Sequence, residues 1–247
     1  MAARPALLPA AAANNALWCD AICRAHGVSG EFSPHRWVCH FEVPPFYPNL
    51  VTLDDASPAA IAAQLDAIDA LSAAGLSPGW AIKDSFRALE LSSRGFSRLF
   101  DAVWIVRDAV PFTANDDSLR MTIVRDAAQL AAWEAAWRRD QSPAPDELPA
   151  RMFPKTLLAD PDIAFLVAIR DGQVVAGAAA NRGAGFVGIS NVFHGAEPPD
   201  VVWAATVALL ARLDPNRPLV GYEPAETIDL LQGLGFRALA PLSVWLA

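Results

Sequence analysis

The apolar positions of this chain recur in two stretches with the same rhythm. In the first, residues 50–53 read as a strand, and a helix is expected from near Pro58, where Ile61, Leu65, Ile68 and Leu71 fall on one stripe. In the second, residues 187–190 read as a strand, and a helix is expected from near Pro199, with Val202, Ala205, Leu209, Leu210 and Leu213 on one stripe. Proline suits both helix starts, because its missing N–H has no intrahelical acceptor in the first turn. Downstream, residues 80–96 and 220–236 each read as strand, short helix and Gly-Phe, followed by strands at 99–106 and 239–246. Gly235-Phe236 lies 140 positions after Gly95-Phe96.

The second stretch carries further punctuation. Residues 121–125 read as a strand, 127–139 as an amphipathic helix, and 141–148 as a Pro/Asp loop. Residues 165–170 and 173–180 are strands joined by Asp171-Gly172, a strong hairpin turn. Residues 107–118 hold Pro111, Asn115, Asp116 and Asp117 without periodicity, the pattern of a linker. The expected organisation is an α/β (α+β) protein of two mixed-sheet units flanked by helices. The units are placed at 1–110 and 119–247, with a linker at 111–118, packed as a pseudo-dimer within one chain.

Composition narrows the function classes. With 53% apolar residues in 247, a sizeable core is available. The net charge of −8 argues against a general nucleic-acid binder, which needs a basic face. No apolar run reaches the roughly 18 residues of a membrane helix. Residues 1–13, interrupted by Pro5 and Pro9, make a poor signal peptide and are expected to fray, which points to a cytoplasmic protein. Three cysteines do not make a disulfide framework.

The order of elements in the second stretch is strand, helix, a second helical stretch, a hairpin of two strands, strand, helix, strand, helix, strand. With Asp171-Gly172 in the hairpin and Leu234-Gly235-Phe236 before the last strand, it resembles the GNAT (GCN5-related N-acetyltransferase) superfamily over residues 121–247. A degenerate copy covers roughly 18–106. The resemblance implies an acyl-CoA, acetyl-CoA in the simplest case, lying in the splay between the strands at 186–192 and 219–222. Its pyrophosphate would meet backbone N–H groups at the start of the helix after Phe193, where free donors and the helix dipole favour anions. A small amine, freed of a proton by a base, would attack the thioester directly.

On this reading Ser190, Asn191, Val192, Phe193, His194 and Gly195 are the cofactor-binding residues, and Glu223 and Tyr222 the catalytic pair. A strand-end carboxylate in an apolar cleft suits base work near neutral pH, while the same residue could simply favour the dipole of the following helix. Tyr222, the only tyrosine of the second unit, would replace the family's usual acid, a tyrosine four residues before the final glycine. Leu231 stands at that position, and Leu91 in the first copy. Ser190 and Asn191 could bond substrate or cap the strand, and His194 could bind phosphate or be an ordinary loop histidine.

The segment His194-Gly-Ala-Glu-Pro-Pro-Asp200 departs from the family's glycine-rich loop. Its two prolines remove N–H donors, and Glu197 and Asp200 bring negative charge. A non-catalytic member of the fold, binding a ligand or partner, is therefore the alternative to a transferase. Cys19, Cys23, His26, His35, Cys39 and His40 fall within 22 residues, but their spacing matches no standard zinc pattern and no metal is expected. Residues 44–48 read as a turn, and Trp133 and Trp137 as packing. Monomer and homodimer are both open.

Overall fold

The computed structural model describes residues 4–55, 57–114, 118–140 and 151–247. The expected loop at 141–148 and part of the expected linker lie outside them. The chain gathers into two compact units that interleave in sequence rather than following one another as 1–110 and 119–247. One comprises Met1–Trp104, Tyr222–Ala225 and Ala238–Ala247; the other comprises Ile105–Gly221 and Glu226–Arg237.

In the first unit α1 (Arg4–Ala25) precedes the short strands β1 (Glu31–Phe32), β2 (Arg36–Val38) and β3 (Leu50–Thr52). Then come α2 (Pro58–Ala73), β4 (Ala81–Asp84) and most of β5 (Ser97–Arg107). The C-terminal strand β11 (Arg237–Leu246) lies beside β4, with Ser243 opposite Asp84 and Leu246 opposite Ala81. β3 and β4 are parallel, and β1, β2 and β3 antiparallel. α2 begins at Pro58, as its sequence requires, with Ser57 accepting the N–H of Ala60 at 3.1 Å. Ile68 and Leu71 of its stripe are fully buried with Leu50, Ile82, Leu91 and Trp245. Each such side chain contributes about 1.5–3 kcal/mol on burial.

Two expectations fail in this unit. Residues 4–13 do not fray but belong to α1, whose Ala11, Ala12 and Ala16 are fully buried. Pro9 lies inside α1, in its second turn, and forfeits the bond its N–H would make to the carbonyl of residue 5. The short helix expected between residues 84 and 95 is a single 3₁₀ turn at Ser92–Arg94. Buried Asp84 draws the N–H groups of Phe86 (3.3 Å) and Leu89 (2.7 Å) onto its carboxylate, a local alternative to helical bonding.

The second unit holds β6 (Met121–Ile123), α3 (Ala127–Asp140), a 3₁₀ turn at Lys155–Ala159, and the hairpin β7 (Ile163–Arg170) and β8 (Gln173–Gly183). β9 (Phe186–Phe193), α4 (Pro199–Leu213), β10 (Leu219–Glu223) as far as Gly221, and α5 (Ile228–Gly233) complete it. The strand order is β10-β9-β8-β7-β6, antiparallel from β9 to β6 and parallel between β10 and β9. Asp171 and Gly172 turn the hairpin with φ of 51° and 76°. Asp126 starts α3 by accepting from Ala128 and Gln129, both at 2.9 Å. Trp133 and Trp137 are core residues, as expected. Trp133 packs edge-on against Phe153, Phe165 and Phe193 and donates to the Leu166 carbonyl at 2.8 Å. Of the α4 stripe, Val202, Ala205, Leu209 and Leu210 are buried, while Leu213, at the helix end, is exposed.

The two Gly-Phe turns have the same backbone. Gly95 and Gly235 sit at φ 88° and 86°, Gly95 N–H bonds Ser92 and Gly235 N–H bonds Gln232, and the following Phe N–H bonds Leu91 or Leu231. Both leucines are fully buried, so the position of the family's acid is a packing position in each unit.

Candidate functional site

The expected cofactor stretch runs along the end of β9 in the second unit. Recorded pairing with β10 stops at Val187–Leu219 and Gly188–Val220. Its other partner, β8, sets Ala179 opposite Ser190 and Gly177 opposite Phe193, so two residues of β9 oppose one of β8. The extra residue is a β-bulge around Asn191, which adopts φ 51°, unusual for a residue with a side chain. Asn191 Nδ2 donates to Ser190 Oγ at 3.1 Å, holding the two polar side chains together. A bulge takes backbone groups out of the ladder and re-aims them. Val192 packs partly into the core, and Phe193 is wholly core. The phenylalanine side chain is thus a packing element of the core.

The turn after Phe193 differs from the expected open cradle. Gly195, at φ 52°, stands so close to the Val175 carbonyl that an added Cβ would lie 2.9 Å from it. Its N–H donates to Asp140 at 2.9 Å, so a carboxylate of α3 already holds the donor expected to meet pyrophosphate. Glu197 N–H bonds the His194 carbonyl at 2.8 Å, and the Glu197 carboxylate pairs with Arg170 rather than standing free. α4 begins with Pro199, and its N-cap Pro198 contributes no side-chain bond. His194 Nδ1 is buried with no partner among the described residues. A cavity of about 390 Å³ opens elsewhere in this unit, lined by Phe112, Leu119, Met121, Ala205, Leu209 and Arg212 among others; none of residues 190–195 lines it.

Tyr222 and Glu223 belong to the first unit. Glu223 is part-buried at the end of β10. Burial pushes its carboxyl up to about 7, and no hydrogen-bond or ion-pair partner for it exists among the described residues. Tyr222 is held on two sides: the Trp104 ring meets it edge-on at 5.5 Å, and Lys83 Nζ donates to its hydroxyl at 3.0 Å. Lys83 is almost wholly buried and donates also to Asn15 Oδ1 of α1 at 2.8 Å. The sequence gives no sign of this arrangement, since Asn15, Lys83 and Tyr222 are far apart along the chain.

The cysteines are buried thiols. Burial pushes Cys19 up. The hydrogen bond between Cys23 and Cys39 raises Cys23 and lowers Cys39 to about 7. His35 bonds Asp54 at 3.1 Å. Among the described residues no three His, Cys, Asp or Glu side chains converge as a metal site. No helix among the described residues is long and apolar enough to cross a membrane.

No protein-family model matches the sequence, and neither does any curated protein. Solved structures match it over nearly its whole length. A GCN5-related N-acetyltransferase from Kribbella flavida aligns with a TM-score of 0.60 at 13% identity, covering 92% of this chain and 93% of its own. An acetyltransferase of the GNAT family from Novosphingobium aromaticivorans gives 0.55 at 15% identity, covering 93% and 94%. A GCN5-related N-acetyltransferase-like protein from Streptococcus suis gives 0.52 at 15%, covering 87% and 85%. At such identities the likeness is one of fold. With its parallel β9–β10 pair, its bulged β9 and the hairpin that precedes it, the chain has the fold of the GCN5-related N-acetyltransferases.

Proposed function

We propose that this protein is an acyl-CoA-dependent N-acyltransferase of a small amine, with Glu223 as general base. The observation that carries the reading is the position of Glu223, half-buried at the end of β10 with no hydrogen-bond or ion-pair partner among the described residues, where burial pushes its carboxyl up to about 7. An ordinary carboxylate is too weak a base to take a proton from an amine efficiently near neutral pH, whereas one titrating near 7 is well matched. In the reaction the amine nitrogen bonds the thioester carbon, the carbon–sulfur bond breaks, Glu223 accepts the amine's proton, and Tyr222 O–H protonates the leaving thiolate. Acetyl-CoA is the simplest donor. Backbone donors released by the bulge at Asn191 are suited to a thioester carbonyl as negative charge develops on its oxygen. Ser190, Asn191, Val192, Phe193 through its backbone, and His194 are assigned to the cofactor in this reading. Gly195 contributes only if Asp140 releases its N–H. We further take the chain as two diverged copies of one unit and the protein as cytoplasmic, with a small amine rather than nucleic acid or membrane as its partner.

One observation favours a second reading, a non-catalytic binding protein: the Asp140 carboxylate on the Gly195 N–H. Isothermal titration with acetyl-CoA of the native protein and of a Glu197→Gly, Pro198→Gly double variant separates the two. Micromolar binding by the native protein supports the transferase. Binding only by the variant supports the second reading.

A further inference from the structure

Lys83 is one of two lysines in the chain, and its position is unusual for that residue. It lies on β4, 4% exposed, with its amino group among neutral acceptors rather than carboxylates. Nζ stands 4.2 Å from the centroid of the Tyr222 ring and 3.0 Å from its hydroxyl oxygen, while Asn15 Oδ1 takes a second bond at 2.8 Å. Cys19 faces the same group from α1, its thiol kept protonated by burial. Burying an amino group is costly unless it is fully hydrogen-bonded. Yet here the bonds lead to the phenol assigned above as the acid.

A phenol oxygen that accepts one hydrogen bond keeps its own O–H free to donate. The bond from Lys83 to Tyr222 therefore fixes which way the phenol's proton can go. It also strengthens as that proton leaves and negative charge grows on the oxygen. Trp104, edge-on at 5.5 Å with its Nε1 tied to the Ser85 carbonyl at 2.8 Å, keeps the ring from rotating away from Lys83. Asn15 holds Lys83 in turn, so a residue of α1 orients a residue of β4, which orients a residue of β10.

We propose that Lys83 is a positioning residue that makes Tyr222 a proton donor by occupying its hydroxyl oxygen, with Asn15 fixing the Lys83 amino group. The proposal rests on the acyl-transfer reading. In the step itself Tyr222 gives its proton to the departing thiolate, Lys83 stabilises the resulting phenolate, and the phenol is restored by a proton from water.

The test uses the full chain labelled with ¹³C at tyrosine Cζ, which gives two resonances, from Tyr47 and Tyr222. Lys83→Met removes the donor at similar volume, Lys83→Gln retains one, and thermal melts establish that both fold. Lys83→Met is expected to move the Tyr222 resonance but not that of Tyr47. It should also lower kcat about 10-fold or more at unchanged KM, to the level of Tyr222→Phe, with no further loss when the two are combined. Lys83→Gln should recover part of the loss. An unmoved Tyr222 resonance, or losses that simply add, would overturn the assignment. A moved resonance in a protein that transfers no acyl group would instead sink the acyl-transfer reading and leave the hold of Lys83 on Tyr222 standing.

Discussion

The starts of α2 and α4 occupy the same place in their units, each after a strand and each with proline at its first position, yet they are closed by different means. At α2 the closure is built in. Ser57 caps the helix, and Gln64 Nε2 donates back to the carbonyls of His35 (2.9 Å) and Asp54 (2.6 Å), tying the preceding turn down. At α4 there is no side-chain cap, and a single carboxylate from another helix, Asp140, holds Gly195. A helix start attracts an anion only through the N–H groups left free. The first has given one N–H, that of Ala60, to its own cap, whereas the turn before the second has given one, that of Gly195, to a carboxylate from another helix. On the acyl-transfer reading, the second start is therefore the one proposed to meet acyl-CoA.

The variant with the largest expected effect lies at neither start. Glu223→Gln keeps the shape and removes the base, and should lower kcat by about 100-fold or more in an acyl-transfer assay. If it leaves turnover intact, the contrast between the helix starts has no catalytic meaning. The same substitution should alter stability. Because the folded carboxyl is raised above its ordinary range to about 7, the folded state holds its proton longer than the unfolded chain. The native protein therefore loses stability as pH climbs from the usual carboxylate range to about 7, and no more beyond it. Glu223→Gln escapes that loss. Relative to the native protein it should gain about 1–2 kcal/mol between pH 4 and pH 8 in urea unfolding, allowing for the partial exposure of the group.

Ser57→Ala should cost about 1 kcal/mol in the same unfolding experiment, since it removes the α2 cap. A loss near zero would show that the first start is not closed by its cap. The smallest effect is expected for Asp140→Ala, which frees the Gly195 N–H and removes a negative charge, and should tighten acetyl-CoA binding about 3-fold to 10-fold in calorimetry. Weaker binding would mean that Asp140 supports the loop rather than competing with the ligand.

What could be read beforehand was whatever local chemistry decides. Pro58 and Pro199 begin their helices, Asp171-Gly172 turns its hairpin, and the Gly-Phe turns match in every backbone bond described. The two stretches slip against each other between these marks. Gly235 follows Gly95 by 140 positions, but the parallel pairs Leu50–Ile82 and Val187–Leu219 place Leu219 only 137 positions after Ile82. Sequence overlay therefore sets Glu223 against Lys83, three residues out of step with the sheet. The first half of α1 shows no strong stripe, because its buried positions there are alanines and asparagines and Pro9 reads as a break. The bond of Asp140 to Gly195 and the hold of Lys83 on Tyr222 join residues 55 and 139 positions apart, which no local pattern can foretell. Gly177 is a further example: a Cβ there would lie 2.4 Å from the Trp133 indole nitrogen, so its glycine serves a packing contact with a distant helix.

The central claim is that Glu223 is the base of an acyl transfer, and the pH dependence of kcat/KM tests it most directly. The assay takes an amine whose conjugate acid titrates well above pH 9, so that the amine's own ionisation stays separate. The native protein should show a rising limb centred near pH 7, and Glu223→Gln should lose that limb along with most of its rate. The same limb persisting in Glu223→Gln would contradict the assignment and pass the role of base to another group.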